Sequence, residues 1–412
     1  MLNPKTNERE LAYVVAIDEI RPIPNYDRVE HARVGGWWVI VKKDQFKVGD
    51  LAIYIEVDAK VPEQEPFMFL EPKHFKVKTQ KMCKVISQGL LMHPNDFGWT
   101  LAEDADGNKI INWGDKATNA MPYLFEGDFL TQELGITYAD AEDNKRKAAS
   151  VDKYKKMAQR HGKLFAKQPF RWLMKRTWGK KLLFLFFGKK RDKKTEWPTW
   201  VVKTDEERAQ NMPWLFPGTD EEWIATEKID GTSTTFTMKG FGRKRQFLVC
   251  SRNVVFDKPD KKCYYDTNVY TEMAEKYNME KVLSNILYNM SAVCDFVTIQ
   301  GETFGSTVQK RDYGLTDREL RVFNVILGYN DGHVERLNPI EMKTLMDDFN
   351  IPTVPIVDEH FKIPSTCDEL LAVCGGPSKI DGGMREGLVF RSYDGTKSFK
   401  AVDNNFLLKY HN

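Results

Sequence analysis

The stretch Glu227-Lys228-Ile229-Asp230-Gly231-Thr232-Ser233 decides how this chain is read. Trp223, Ile224 and Ala225 lead into it as an apolar, β-prone run, and Thr234, Thr235, Phe236 and Thr237 resume one after it. Gly231 permits a bend in which the backbone approaches a neighbour closely. The pattern predicts strand, bend, strand, with Lys228 at the end of the first strand and facing a cleft.

A chain of 412 residues can bury a substantial core, and two domains are the starting expectation. With 42% apolar and 29% charged residues, disorder is excluded for most of the chain, and the 12% aromatic content favours β-rich cores or stacking surfaces. Cys83, Cys250, Cys263, Cys294, Cys367 and Cys374 form no C-x-x-C pair and have no histidines at ligand spacing, so they read as reduced thiols. Met1 to Glu10 lacks an apolar signal core, and the longest purely apolar run, Leu182 to Phe187, has six residues. The expectation is an intracellular, cytoplasmic protein with no membrane span.

The formal charge of +2 conceals a segregation. Residues 145–194 hold 19 Lys or Arg against Asp152 and Asp192, a net of +17, which leaves about −15 on the rest. A basic segment on an acidic protein is the footprint of a polyanion partner.

Several short strands with Gly and Asp turns over residues 11–61 predict a small closed β-barrel, with Trp37 and Trp38 in its core and rim rather than each stacking on a base. Residues 81–129 complete or decorate it. The domain expectation is 1–135 for the barrel, 136–197 for a basic connector and 198–412 for a mixed α/β domain. In the connector Arg171, Trp172, Lys175, Arg176, Trp178, Lys180 and Lys181 interleave bases and aromatics, which suits either phosphate contact or a solvated linker packed on a domain. A helix is expected over Thr271 to Met290, and strands at 247–251, 296–301, 320–327, 387–392 and 398–402.

Five further stretches follow Lys228 in order: Ser251-Arg252-Asn253, then Gly301-Glu302-Thr303-Phe304-Gly305, Arg321-Val322-Phe323-Asn324-Val325, Glu386-Gly387-Leu388-Val389-Phe390 and Ser398-Phe399-Lys400. This ordered set resembles the covalent nucleotidyltransferase superfamily, which comprises ATP-dependent polynucleotide ligases and messenger-RNA capping enzymes. With the front barrel and the segment KTDEERAQN at 203–211, the chain looks most like the RNA ligases of the Deinococcus and Naegleria type. The resemblance implies a multidomain α/β (α+β) fold: an oligonucleotide-binding (OB) barrel, then an ATP-grasp-like adenylyltransferase domain of antiparallel sheets and flanking helices.

A lysine amine attacks the α-phosphorus of ATP only when neutral, so a lowered pKa is expected for Lys228, through burial or a cationic neighbourhood. The resemblance makes Lys228 the nucleophile and Asp230 a ligand of a ribose hydroxyl. Arg252 and Lys400 suit phosphates; Glu386 is the metal carboxylate; Glu302 holds the ribose or a metal-bound water; Phe323 stacks on adenine. The adenine edge is read by backbone at Thr226 and Glu227. Arg208 and Asn211 either touch substrate phosphate or nucleotide, or follow a helix start capped by Thr204 and Asp205 as surface residues. One departure stands out: related ligases carry lysines two apart here, whereas Lys400 is followed by Ala401 and Val402, so Lys409 is the candidate second cation.

Only 12 residues follow Lys400, too few for the barrel that capping enzymes and most DNA ligases place there. The expected activity is ATP-dependent RNA ligation with Mg²⁺ or Mn²⁺, by a monomer acting on nicked duplexes or broken ends, with or without a DNA strand. The alternatives are an ATP-dependent DNA ligase and a catalytically silent RNA-binding protein.

Overall fold

A computed structural model describes residues 1, 3, 9–114, 123–138, 167–174, 176, 182–183, 186–187, 197–203, 205–216, 220–256, 268–290 and 292–411. Most of the basic connector, including Lys175, Trp178, Lys180, Lys181 and the Arg171 side chain, lies outside the described residues, as does Thr204. Of that cluster, Arg176 stands over the Trp172 ring at 4.2 Å. No helix among the described residues is long and apolar enough to cross a membrane.

In the N-terminal domain Ala12–Ala16, Leu51–Ile55 and Leu90–Met92 form one antiparallel sheet, and Glu19–Ile23, Tyr26–Val34 and Trp37–Lys42 form another. Alternation along the central strands divides them between two cores. Ala12, Val14, Leu51, Ile53 and Ile55 join Phe67, Ile111 and Leu124 on one side. Tyr13, Ala52 and Tyr54 join Val34, Trp37 and Val39 on the other. Every residue of Leu51–Ile55 is therefore buried. Among the described residues these strands pair as separate three-stranded sheets rather than one continuous closed ladder, and Ile111 and Leu124 of the sheet formed by 100–103, 109–112 and 123–124 pack into the first core. Trp37 belongs to the core and Trp38 is half-buried.

Residues 198–412 supply two sheets. One runs in the order Glu207–Arg208, Ser398–Val402, Gly387–Arg391, Glu222–Lys228, Ile356–Lys362, with only the first pair parallel. The other is antiparallel: Val255–Phe256, Gln246–Cys250, Thr232–Lys239, Cys294–Gly305, Arg318–Tyr329, Val334–Arg336. Lys228 closes a strand of the first sheet and Thr232 opens one of the second, so the Gly231 bend is where the chain crosses between them. The helix expected over Thr271 to Met290 is two helices, Val269–Lys276 and Met279–Asn289. Asn278 sits at φ 49°, a left-handed conformation that ends one helix and starts the next.

The two domains dock through the segment before the strand Glu222–Lys228. Gly36 donates its N–H to the Gln210 carbonyl at 2.9 Å, and a Cβ at Gly36 would lie 2.5 Å from Gln210 Cα, so only glycine fits. Trp37 Nε1 donates to Asn211 Oδ1 at 2.6 Å, and Asn211 Nδ2 donates to Glu56 Oε1 at 2.8 Å. Glu56 is fully buried and also receives the Tyr13 hydroxyl, the Arg9 guanidinium and the amine of Met1. Burial raises its pKa, but the nearby amine and Arg9 outweigh this and hold it at about 2.

A carboxylate so depressed contributes stability that is present above pH about 4.5 and lost as pH falls towards 2. We expect Glu56→Gln to destabilise the protein by about 3 kcal/mol near pH 7, the scale for breaking a buried ion pair. Thermal unfolding across pH should show that deficit shrinking below pH 4.5; a constant deficit would contradict the assignment.

Candidate active site

Sheet register assembles the site. Across the five-stranded sheet, Arg208 pairs with Lys400, Lys400 with Val389, and Val389 with Thr226, so these four side chains share one face. The next row, Glu207, Phe399, Phe390 and Ala225, points the other way; its Phe399, Phe390 and Ala225 form core with Trp223. Lys228, Gly387 and Val402 form a further row on the first face. That face and the strands Thr232–Lys239, Cys294–Gly305 and Arg318–Tyr329 enclose a cleft of about 460 Å³. A larger cavity of about 670 Å³ beside the helices, lined by Arg245, Phe247 and Glu280 among others, gathers none of these groups.

Lys228, Asp230, Arg252, Glu302, Phe323, Glu386, Lys400, Arg208, Thr226 and Glu227 all line the cleft. Lys228 Nζ donates to Glu386 Oε2 at 2.8 Å. Burial alone would lower the Lys228 pKa, but Glu386, Glu302 and Asp230 reverse it, and the net shift is upward. In the cleft as it stands, the carboxyl groups around it, Glu386 foremost, hold the lysine as an ammonium. Burial in turn raises Glu302 to about 8 and pushes Glu386 up, with Lys228 opposing both.

A second charge cluster centres on Asp205. Its Oδ1 lies 2.9 Å from Lys400 Nζ and 3.3 Å from Arg252 Nη2, and its Oδ2 lies 3.5 Å from Arg9 Nη1. Burial would raise the Asp205 pKa, yet these cations hold it far below the carboxylate range. Burial lowers Lys400 to about 8, with Asp205 opposing.

Asp205 therefore does not begin a helix. Arg208 and Asn211 are buried, not surface residues, because the segment lies under the N-terminal domain. Arg208 Nη2 donates to Asp58 at 3.2 Å, and its Nε and Nη1 are buried without a partner.

Other groups fit a bound nucleotide. Half-buried Phe323 is fixed by Arg391, which donates to the Phe323 carbonyl at 2.5 Å and to Glu206 Oε1 at 3.1 Å. The Glu227 N–H is committed to the Pro355 carbonyl at 2.9 Å. Its buried side chain is available instead: Oε2 accepts from the Lys379 N–H at 2.7 Å, and Oε1 has no partner. Asp230 Oδ1 meets His411 Nε2 at 3.2 Å while Oδ2 is buried and unpartnered; that hydrogen bond raises the His411 pKa.

Lys409 is not brought into the cleft. The helix Asn404–Tyr410 buries Phe406 and Leu407, which turns Lys409 to solvent with its ammonium 4.9 Å over the Tyr410 ring. Among the described residues no three His, Cys, Asp or Glu are grouped to hold a metal ion. The pair Glu302 and Glu386 suits an ion that takes its other ligands from water and phosphate oxygens, as Mg²⁺ does.

Sequence reasoning missed Arg9, Asp58, Tyr138, Glu206 and His411, all of which line the cleft. Only Glu206 carried a local signal, within the segment 203–211.

Comparison with known proteins follows this division of the chain. Residues 11–94 match an OB-fold domain, and residues 221–411 match the RNA ligase family. The second match spans nearly all of the C-terminal domain. A structure of a Naegleria gruberi RNA ligase variant without ligand matches with TM-score 0.68 and 24% identity, covering 98% of both chains. The same enzyme with pyrophosphate gives 0.66 and 24% over 98% of this chain and 99% of that one. A variant with AMP and manganese gives 0.67 and 24%, with the same coverage. No curated protein matches. The shared order is OB-fold domain first, ligase domain second.

The C-terminal domain depends on the close approach at Gly231, where a Cβ would sit 2.4 Å from the Thr303 carbonyl oxygen and 2.9 Å from Glu302 Cγ. Gly231→Ala is expected to part the two sheets locally, costing about 2 kcal/mol in chemical denaturation. An unchanged midpoint would refute this placement of the bend.

Proposed function

We propose that the protein is an ATP-dependent RNA ligase that seals RNA 3′-hydroxyl and 5′-phosphate ends, acting as a monomer inside the cell. The observation that carries this reading is Lys228 at the end of a strand within the stretch that matches the RNA ligase family, 2.8 Å from Glu386 and in one cleft with Arg252 and Lys400.

In the first step the neutral Lys228 amine attacks the α-phosphorus of ATP, a P–N bond forms, and the bond to the pyrophosphate oxygen breaks. Lys228 must first lose a proton, and neutralisation of Glu386 and Glu302 is what lowers its pKa. Mg²⁺ or Mn²⁺, held by Glu386 and Glu302, would supply that neutralisation and charge stabilisation at the phosphates. Lys400 and Arg252 turn from Asp205 to the phosphates. Phe323 stacks on adenine, the free Glu227 Oε1 accepts from its amino group, and Asp230 holds a ribose hydroxyl. The lysyl-AMP then passes its AMP to an RNA 5′-phosphate, with Arg208 as a contact, and the 3′-hydroxyl displaces AMP to close the backbone.

A panel of nicked duplexes with RNA or DNA at the 3′-hydroxyl side, with and without EDTA, tests the reading. We expect sealing of the RNA-ended nick, its loss in EDTA, and weaker sealing of the DNA-ended nick. Equal sealing of both would remove the preference for RNA; no sealing of either, with no AMP transferred to any 5′-phosphate, would contradict ligation.

A further inference from the structure

The row of the sheet that carries Lys228 has no second cation: Gly387 lies between it and Val402, and Val402 lines the cleft. A cation arrives instead from the N-terminal domain. Arg9 Nε and Nη2 donate to Glu56 Oε2 at 3.3 and 3.1 Å, which anchors one edge of the guanidinium. The remaining nitrogen, Nη1, is directed at Asp205 Oδ2, 3.5 Å away in the cleft. The Tyr138 ring lies 6.0 Å from the Arg9 guanidinium carbon and 5.6 Å from that of Arg252, so one aromatic spaces the two arginines.

Asn211, Tyr13 and the amine of Met1 all meet Glu56 Oε1, whereas Arg9 takes Oε2 with Nε and Nη2, so Glu56 fixes the guanidinium and leaves Nη1 to face the cleft. Asp205 thus gathers Arg9, Arg252 and Lys400 around a single carboxylate. Arg9 is also paired with Glu56, so it offers the cleft Nη1 alone, beside Arg252 and Lys400, and a phosphate oxygen at the Asp205 carboxylate would accept charge-assisted hydrogen bonds from all three cations.

We propose that Arg9 is a phosphate ligand of the cleft, delivered by the N-terminal domain, and that Asp205 stands where a substrate phosphate binds. The phosphate belongs either to the pyrophosphate end of ATP or to the 5′ end of RNA, which present the same oxyanion chemistry. The inference rests on the ligase reading and extends it: the nucleotide site is incomplete without the first domain.

The test uses the full chain with Arg9→Ala and with Arg9→Lys, which keeps a charge for Glu56. Three reactions are timed separately: self-adenylylation from ATP, AMP transfer from adenylylated protein to 5′-phosphorylated RNA, and sealing of RNA that is already adenylylated. Arg9→Ala should slow the first or the second by at least about tenfold, the scale of one charge-assisted hydrogen bond. Sealing of pre-adenylylated RNA should stay within about twofold of wild type, with Arg9→Lys between the two. An effect on the first reaction assigns ATP; an effect confined to the second assigns RNA.

Equal loss of all three reactions, tracking a fall in melting temperature, would make Arg9 structural and overturn the proposal, as would rates unchanged throughout. Pyrophosphate binding by calorimetry adds a readout independent of turnover. If Arg9 serves the ATP phosphates, affinity should fall about tenfold in Arg9→Ala. Pyrophosphate affinity and AMP transfer both unchanged would overturn the proposal. A wild-type protein that binds pyrophosphate but never forms lysyl-AMP would count against the ligase reading and leave the Arg9 contact standing.

Discussion

The ion pair between Lys228 and Glu386, 2.8 Å apart and largely removed from water, is the constraint on which the rest of the site turns. A buried ammonium is tolerated only beside carboxylates, and the same carboxylates keep it from acting as a nucleophile. The resting site is therefore stable and unreactive together. On the proposed function, reactivity arrives with the groups that neutralise Glu386 and Glu302, which ties loss of the lysine proton to loading of the nucleotide and its metal.

The Asp205 cluster follows the same logic with opposite sign. Lys400 and Arg252 would repel one another without an anion between them, and Asp205 supplies one from the segment that also docks the N-terminal domain. Glu56, Asn211, Trp37 and Gly36 fix that segment from the other side. Domain docking and phosphate-site electrostatics thus share residues 205–211, so a disturbance of one is felt by the other.

Much of this was legible in the sequence because it is local or ordered. The strand–bend–strand around Gly231, the strands that carry Phe323 and Lys400 or adjoin Glu302 and Glu386, and the order of domains all follow from pattern and spacing. What was not legible depends on contacts distant in sequence. Arg9 sits in a polar stretch with no periodicity, and only docking brings it to Asp205. The upward shift of Lys228 comes chiefly from Glu386 and Glu302, which lie far along the chain from it. Lys409 and His411 are two residues apart, yet a short helix turns one to solvent and the other to Asp230. Asn278 broke an apparently continuous helix through a backbone angle that apolar periodicity does not report.

The most direct measurement is mass-spectrometric mapping of the protein after incubation with ATP and Mg²⁺. The account predicts one AMP adduct, on the peptide containing Lys228, formed with release of pyrophosphate and lost in Lys228→Ala. An adduct on another residue, or none while ATP is bound, would contradict it.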